Sequence, residues 1–174
     1  MSWAFSLSVE CGKSESAAEK FSQHFAGVIF TSSSGASSHC KSTLFQDIDE
    51  SWWCRVCPTD ISKMGIDTSG SAYVMTEMGI LLYQHLQTAT TYRYGIVGLE
   101  VDEFRTYSEL LTETPSINFP GLVLAESMWK ELASPNTFVP FTPGYLWQPY
   151  EGEVYRPLIV STDLKEKINR LLAA

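Results

Sequence analysis

The chain has 174 residues, of which 44% are hydrophobic and 18% are charged. This composition excludes a disordered chain and predicts a single domain over residues 1–174, because enough apolar surface is present to form a packed core. Twelve basic residues against twenty acidic residues give a net charge of −8. Nucleic acid is therefore not expected as a partner, since no cluster of Lys or Arg is present to follow a phosphate backbone.

The sequence contains no stretch that is long and apolar enough to cross a membrane. Residues 1–10 also lack the basic flank and the apolar centre of a signal peptide. We therefore expect a cytoplasmic protein with no membrane partner. In that compartment Cys11, Cys40, Cys54 and Cys57 are expected to be reduced thiols.

The first predicted elements are a strand and a helix. Apolar side chains at every second position from Trp3 to Val9 predict a strand that buries one face. Ser16 and Glu19 then match a capping box, and apolar residues follow at helical spacing. We predict a helix from about Ala17 to about Ile29.

A serine-rich stretch and a hairpin follow. Thr31 to Ser42 contains almost nothing apolar, so it cannot offset the entropic cost of ordering, and we predict a mobile loop over about residues 31–42. From Thr43 to Cys57 apolar and polar residues alternate on both sides of Asp49-Glu50-Ser51. This pattern predicts a β-hairpin that turns near Asp49.

The middle of the chain predicts alternating helices and strands. Ala72 to Leu86 is apolar on all sides, which is typical of a buried helix. Ile96 to Val101 predicts a strand that is covered on both faces. Tyr107 to Leu111 predicts a short helix, Phe119 to Leu124 another strand, and Glu126 to Leu132 another short helix.

Proline then becomes frequent, which excludes regular central structure over about residues 134–157. We predict an ordered irregular segment with short edge strands there, followed by a last helix capped within Ser161-Thr162-Asp163. The order of elements predicts an α+β fold. Its sheet is expected to be mixed or mainly antiparallel, with helices packed on one or both faces, as a single-domain sandwich.

Two cysteines form a C-x-x-C motif, Cys54 to Cys57. We do not interpret it as a redox dithiol, because the cysteines fall in a strand pattern and Pro58 prevents a helix from starting there. Cys40, Cys54 and Cys57 form the weaker hypothesis of a structural zinc site. Such a site needs a second convergent pair of ligands, and the adjacent residues His39 and Cys40 diverge if they are extended.

The negative charge is concentrated in one region. Residues 100–153 contain nine carboxylates against two cations, Arg105 and Lys130, which accounts for nearly all of the excess. The carboxylates are Glu100, Asp102, Glu103, Glu109, Glu113, Glu126, Glu131, Glu151 and Glu153.

Aromatic residues alternate with prolines in the segment 138–155, beside acidic residues. Rigid aromatic side chains next to charges are typical of protein interfaces and ligand clefts, although such rings also attach irregular segments to a core. No catalytic residue and no cofactor are assigned. The candidate partner-binding residues are Trp129, Tyr145, Trp147, Tyr150, Glu151 and Glu153.

These patterns favour a non-enzymatic protein-binding domain. Its charge suits an inhibitor or immunity-type role toward a basic protein partner, because complementary fields raise association rates. The alternative is a small-molecule-binding protein or an enzyme with a pocket under the aromatic segment 138–155, and a second alternative is the cysteine-ligated zinc site.

Overall fold

The structure is a computed structural model, and it describes residues 5–59, 69–101, 104–113, 116–153 and 166–170. Several residues used above lie outside the described ranges: Trp3, Asp102, Glu103, the last two residues of the segment 138–155 and the predicted cap at 161–163. Residues 166–170 are helical. The other elements are β1 (Phe5–Glu10), α1 (Glu15–Phe25), β2 (Ile29–Thr31), β3 (Ser37–Gln46), β4 (Trp52–Pro58), α2 (Ser69–Leu86), β5 (Tyr94–Leu99), α3 (Tyr107–Glu113), β6 (Val123–Ala125), α4 (Glu126–Glu131), β7 (Val139–Thr142) and β8 (Tyr145–Trp147).

The eight strands form one sheet in the order β2-β3-β4-β1-β5-β6-β8-β7. Each pair of neighbouring strands is antiparallel. The predicted α+β fold, with a mainly antiparallel sheet and helices packed on its faces, is therefore confirmed. Antiparallel pairing is what short connections permit, and the β3–β4 hairpin turns between Gln46 and Trp52 as predicted.

Strand β1 lies near the middle of the sheet, between β4 and β5, and all of its residues are buried. This differs from the prediction of a strand with one buried face. The small side chains Ser6 and Ser8 face the second layer of helices, where they leave room for the larger side chains of neighbouring strands. The short polar positions therefore mark a central strand and not an exposed face.

Glu10 ends β1 as a carboxylate that is 0% exposed. Arg93 forms a two-pronged ion pair with it, in which Nε donates to Oε1 at 2.8 Å and the second nitrogen bonds to Oε2. The backbone N–H of Gly12 also donates to Oε1, at 2.5 Å. The guanidinium side chain of Arg93 keeps 35% of its surface exposed, so it covers Glu10 and closes the site toward solvent.

Each face of the sheet carries its own core. The first core lies between the sheet and helices α1 and α2, and the second lies between the sheet and helices α3 and α4. The largest fully buried side chains of the first core are Phe5, Leu7, Phe21, Phe25, Met75, Met78, Leu82, Tyr83, Leu86 and Trp147. The second core contains Trp53, Tyr94, Ile96, Leu110, Ile117, Leu122, Leu124, Met128, Leu132 and Phe138.

Helix α1 begins two residues earlier than the capping pattern predicts. The N-cap is Ser14, whose side chain accepts a hydrogen bond from the N–H of Ala17 at 3.2 Å. The helix ends at Phe25 because Gly27 adopts a left-handed conformation, with φ of 75°, that glycine tolerates at low cost. Ile29 consequently starts β2 instead of ending the helix.

The predicted loop over residues 31–42 is wrong for its second half, which forms the start of β3. Phe30 pairs with Ser38 on one side, and Ser42 pairs with Val56 on the other. Backbone hydrogen bonds to two neighbouring strands order this stretch without apolar side chains. A short turn over residues 32–36 is what remains of the loop.

The proline-rich segment contains the short strands β7 and β8, so the prediction of short edge strands is confirmed for β7 and wrong for β8. Pro140 lies in β7, which forms one edge of the sheet, where a missing N–H costs little. Strand β8 lies between β6 and β7, so it is not an edge strand. The helices in the described part of the chain are too short or too polar for a membrane crossing.

Candidate functional site

The structure places two of the four predicted aromatic residues inside the protein. Trp147 is 1% exposed and Tyr150 is 3% exposed, and both belong to the first core. The ring of Tyr83 contacts both of them, with centroid distances of 5.2 Å and 4.9 Å. Trp147 and Tyr150 therefore offer almost no surface to a partner. The rings of Phe141 and Trp147 also pack against each other and against Tyr83.

Tyr145 and Trp129 lie on different sides of the sheet. Tyr145 is partly buried against the first core, where it stacks on Tyr92 with centroids 4.3 Å apart. Trp129 is partly buried against the second core and donates its indole N–H to the carbonyl of Pro135 at 2.9 Å. The predicted aromatic residues are thus divided by the sheet and do not form one surface.

The two predicted carboxylates also separate. Glu151 is exposed, whereas Glu153 is 8% exposed and accepts a hydrogen bond from the hydroxyl of Tyr150 at 2.7 Å. The backbone N–H of Glu153 donates to the hydroxyl of Thr76 at 2.9 Å. Burial raises the pKa of Glu153 to about 7. The acidic segment therefore contains one carboxyl group that is a core residue.

Glycine at position 79 of α2 makes this arrangement possible. A Cβ atom there would collide with the hydroxyl of Tyr150, so the absence of a side chain lets that ring lie against the helix. A Cβ atom added at Gly98 of β5 would lie 3.9 Å from Oε1 of Glu153. The network of Thr76, Tyr150 and Glu153 therefore joins the end of the irregular segment to α2.

The cysteines do not form a metal site among the described residues. Cys54 and Cys57 are three positions apart in β4, so their side chains point to opposite faces of the sheet. Cys40 pairs with Pro58, whereas Cys54 pairs with Leu44. No group of three or more His, Cys, Asp or Glu side chains able to hold a metal occurs in the part of the chain that the structure describes.

Burial also makes these thiols poor nucleophiles. It raises the pKa of Cys54 to about 12 and that of Cys40 to about 12. At pH 8 we expect Cys54 to be alkylated at least about a hundredfold more slowly in the folded protein than in guanidinium, because the thiolate fraction and access both fall. Mass spectrometry of the alkylated peptides measures both rates. Rapid labelling of Cys54 in native buffer would contradict the buried placement.

A different surface combines exposed apolar and acidic groups, and sequence reasoning did not identify it. Ile48 is 90% exposed in the turn between β3 and β4. Leu111, on helix α3, is 40% exposed. The period-two pattern of the hairpin placed Ile48 in a strand. An isoleucine among the acidic residues of a turn was the signal that could have identified this surface.

Hydrogen bonds fix the turn that carries Ile48. The carboxylate of Asp47 accepts from the N–H groups of Asp49 and Ser51 at 2.9 Å and 3.0 Å, and from the indole of Trp53 at 2.7 Å. The N–H of Asp47 also donates to the carbonyl of Ser51 at 3.0 Å. Asp47 therefore organises the whole turn and holds Ile48 in an exposed position.

The turn is also attached to helix α3. The N–H of Ser108 donates to the carboxylate of Asp49 at 3.2 Å. Hydrogen bonds from Ser108 lower the pKa of Asp49, so this carboxylate stays ionised near neutral pH. Ile48 is next to Asp49 in the chain, and Leu111 lies one helical turn after Ser108. The two aliphatic residues therefore lie within three positions of the two residues that form this hydrogen bond.

Helix α3 begins with a reciprocal capping box. The carboxylate of Glu109 accepts from the N–H of Thr106 at 2.8 Å, and the N–H of Glu109 donates to the hydroxyl of Thr106 at 3.3 Å. This cap fixes the seven-residue helix at the end that contacts the turn. We define the turn-helix surface by its exposed residues, Ile48, Glu50, Glu109, Leu111 and Thr112.

The charge of the turn-helix surface is mainly negative. Glu50 and Glu109 are exposed there, and each is next in the chain to one partner of the hydrogen bond between Asp49 and Ser108. Two cations lie at its margin: Lys13 bonds to the carbonyl of Asp49, and Arg105 pairs with Glu113 at 2.5 Å.

Compared with known proteins, the chain matches no family model, no curated protein and no solved structure.

Proposed function

We propose that the protein is a non-enzymatic protein-binding domain that contacts a basic partner through the turn-helix surface. An inhibitor or immunity-type role toward that partner is the function that we infer. The observation that carries the proposal is Ile48, a large aliphatic side chain that is 90% exposed on a turn held by hydrogen bonds.

The energetic argument concerns preorganisation. An apolar side chain on a flexible turn loses conformational freedom when a partner buries it, and this loss weakens binding. The turn around Ile48 is already fixed by the Asp47 carboxylate and by Ser108. Burying Ile48 against a partner would gain about 1.5–3 kcal/mol with little further ordering, and Leu111, which is 40% exposed, would add less than half of that.

The charge argument concerns the choice of partner. Interfaces commonly have an apolar centre with a polar rim, and the rim charges steer the encounter. Here the rim contains Glu50 and Glu109 in a chain of net charge −8. A partner with Lys and Arg around an apolar recess matches this arrangement. Trp129, one of the residues predicted from the sequence, lies on the same side of the sheet as the turn-helix surface. The hydroxyl of Tyr107 donates to Glu131 at 2.7 Å and so links α3 with α4.

A photo-crosslinking amino acid at position 48 tests the proposal in lysates of the cells that make the protein, where the salt concentration can be set. We expect it to capture a basic protein, and we expect the captured amount to fall as salt rises from about 0.05 to about 0.5 M because screening weakens charge pairing. The matched control carries the same group at position 29, an isoleucine that is 53% exposed at the far edge of the sheet. Equal capture at both positions contradicts the proposal.

The captured partner then allows a quantitative comparison. We expect Ile48→Asp to weaken its binding by about 2 kcal/mol or more, as for a central interface residue, while Ile29→Asp leaves binding unchanged. Both variants should keep the stability of the wild type within about 0.5 kcal/mol, since both side chains are exposed. Titration calorimetry and urea unfolding supply the two measurements. A partner that binds Ile48→Asp as tightly as the wild type removes the turn-helix surface from the interface.

A further inference from the structure

A pocket of about 210 Å³ lies against helix α2, on the face of the sheet opposite the turn-helix surface. Four of its residues are spaced along α2 so that they share one side of the helix, at positions 77, 80, 81 and 84. Lys167 and Arg170, from the helical residues 166–170, and Thr31 of β2 also line it. Its lining residues are Thr31, Glu77, Ile80, Leu81, Gln84, Lys167 and Arg170.

The acidic group of the pocket, the carboxylate of Glu77, already has hydrogen-bond and ion-pair partners within the protein. The carboxylate of Glu77 accepts from the N–H of Ser33 at 3.2 Å and from its hydroxyl at 3.1 Å. Lys167 forms an ion pair with the same carboxylate at 3.1 Å, and both side chains are largely buried, at 27% and 9% exposure. Glu77 and Lys167 therefore neutralise each other, and the pair fixes one wall of the pocket.

The second cation is held much more loosely. Arg170 approaches Glu166 at 3.8 Å, and both side chains are more than half exposed. An exposed pair at this distance contributes little free energy, so another anion can replace Glu166 at low cost. Guanidinium groups bind carboxylates through two parallel hydrogen bonds. Arg170 therefore gives the pocket a preference for an anion.

The remainder of the pocket offers apolar contact and neutral polar groups. Ile80 is 5% exposed and forms the floor with Leu81, which is partly buried. Gln84 and Thr31 lie at the exposed margin. A compact inorganic anion would leave this aliphatic floor without a contact, whereas a short hydrocarbon chain would cover it.

We propose that this pocket binds a small monocarboxylic acid with a short aliphatic chain. The carboxylate lies against the guanidinium of Arg170, and the chain lies on Ile80 and Leu81. This site is separate from the turn-helix surface, so the proposal does not depend on the proposed protein-binding function.

Titration of the whole chain with hexanoate, followed by NMR, tests the site. We expect saturable shifts at α2 with a Kd on the order of 1 mM, in keeping with the small number of ligand atoms. Hexanol, which lacks the charge, and phosphate, which lacks the chain, should each bind at least about tenfold more weakly. Butanoate should bind about tenfold more weakly than hexanoate because two methylene groups are missing.

Two variants locate the binding. Arg170→Gln should weaken hexanoate binding about tenfold and remove the preference over hexanol, whereas the control Arg105→Gln, on the other side of the sheet, should leave both unchanged. Circular dichroism checks that both variants are folded. The proposal is overturned by an absence of saturable hexanoate binding, by phosphate binding as tightly as hexanoate, or by full binding to Arg170→Gln.

Discussion

Glu153→Gln is expected to be more stable than the wild type at pH 8.5 and equally stable near pH 4. The folded protein raises the pKa of Glu153 from 4.5 to about 7 through burial, so it binds the proton more tightly than the unfolded chain does. This contribution to stability is fully present below pH 4.5 and is lost as the pH rises through about 7. The loss amounts to about 3 kcal/mol at pH 8.5.

Urea unfolding at both pH values measures the effect. Glutamine keeps an acceptor for the hydroxyl of Tyr150, which donates to Glu153 at 2.7 Å, and it carries no charge at either pH. The matched control is Glu151→Gln, because Glu151 is exposed two residues away. We expect Glu151→Gln to follow the wild type at both pH values. A wild type and a Glu153→Gln variant with the same pH dependence would show that Glu153 is ionised in the core without cost.

Arg93→Met is expected to destabilise the protein by about 3–5 kcal/mol at neutral pH. The reason is the carboxylate of Glu10, which is 0% exposed and would lose both of its bonds to the guanidinium group. Methionine fills much of the volume of the arginine stem but offers no donor. The N–H of Gly12, at 2.5 Å, would remain as a neutral partner for a buried charge.

Two comparisons separate the charge from the packing. Arg105→Met removes an exposed pair with Glu113 and should cost less than about 1 kcal/mol. Adding Glu10→Gln to Arg93→Met should recover part of the lost stability, because the buried group is then neutral. Chemical denaturation of the three variants provides the values. An Arg93→Met variant as stable as Arg105→Met would contradict the structural role assigned to the Glu10 ion pair.

Most of the fold could be predicted because local patterns and tertiary structure agree. The alternation in β1, the β3–β4 hairpin and the apolar length of α2 each identify an element close to its observed bounds. The prediction failed for the serine-rich start of β3, because this segment is ordered by pairing with β2 and β4. Such pairing depends on residues distant in sequence, which local composition does not record.

The candidate site was harder to predict for a physical reason. A large aromatic side chain packs equally well in a core and at an interface, so the sequence alone does not separate the two roles of Trp147. The structure places it at 1% exposure. Glu153 was predicted to bind a partner, which requires the exposure that is usual for glutamate, and its burial accompanies the approach of Tyr150 to Gly79. The alternating pattern of the hairpin continued as far as Ile48, so it predicted a strand position for this residue instead of an exposed position in a turn.

The position of β1 has a consequence for how the chain is made. Phe5 pairs with Leu99, so the second neighbour of this strand is synthesised long after the strand itself. The β3–β4 hairpin, by contrast, closes through contacts that are close in sequence. During translation the first strand therefore leaves the ribosome with one edge that has no partner until β5 emerges. A chaperone that shields this edge can bind it during the interval between the synthesis of β1 and that of β5.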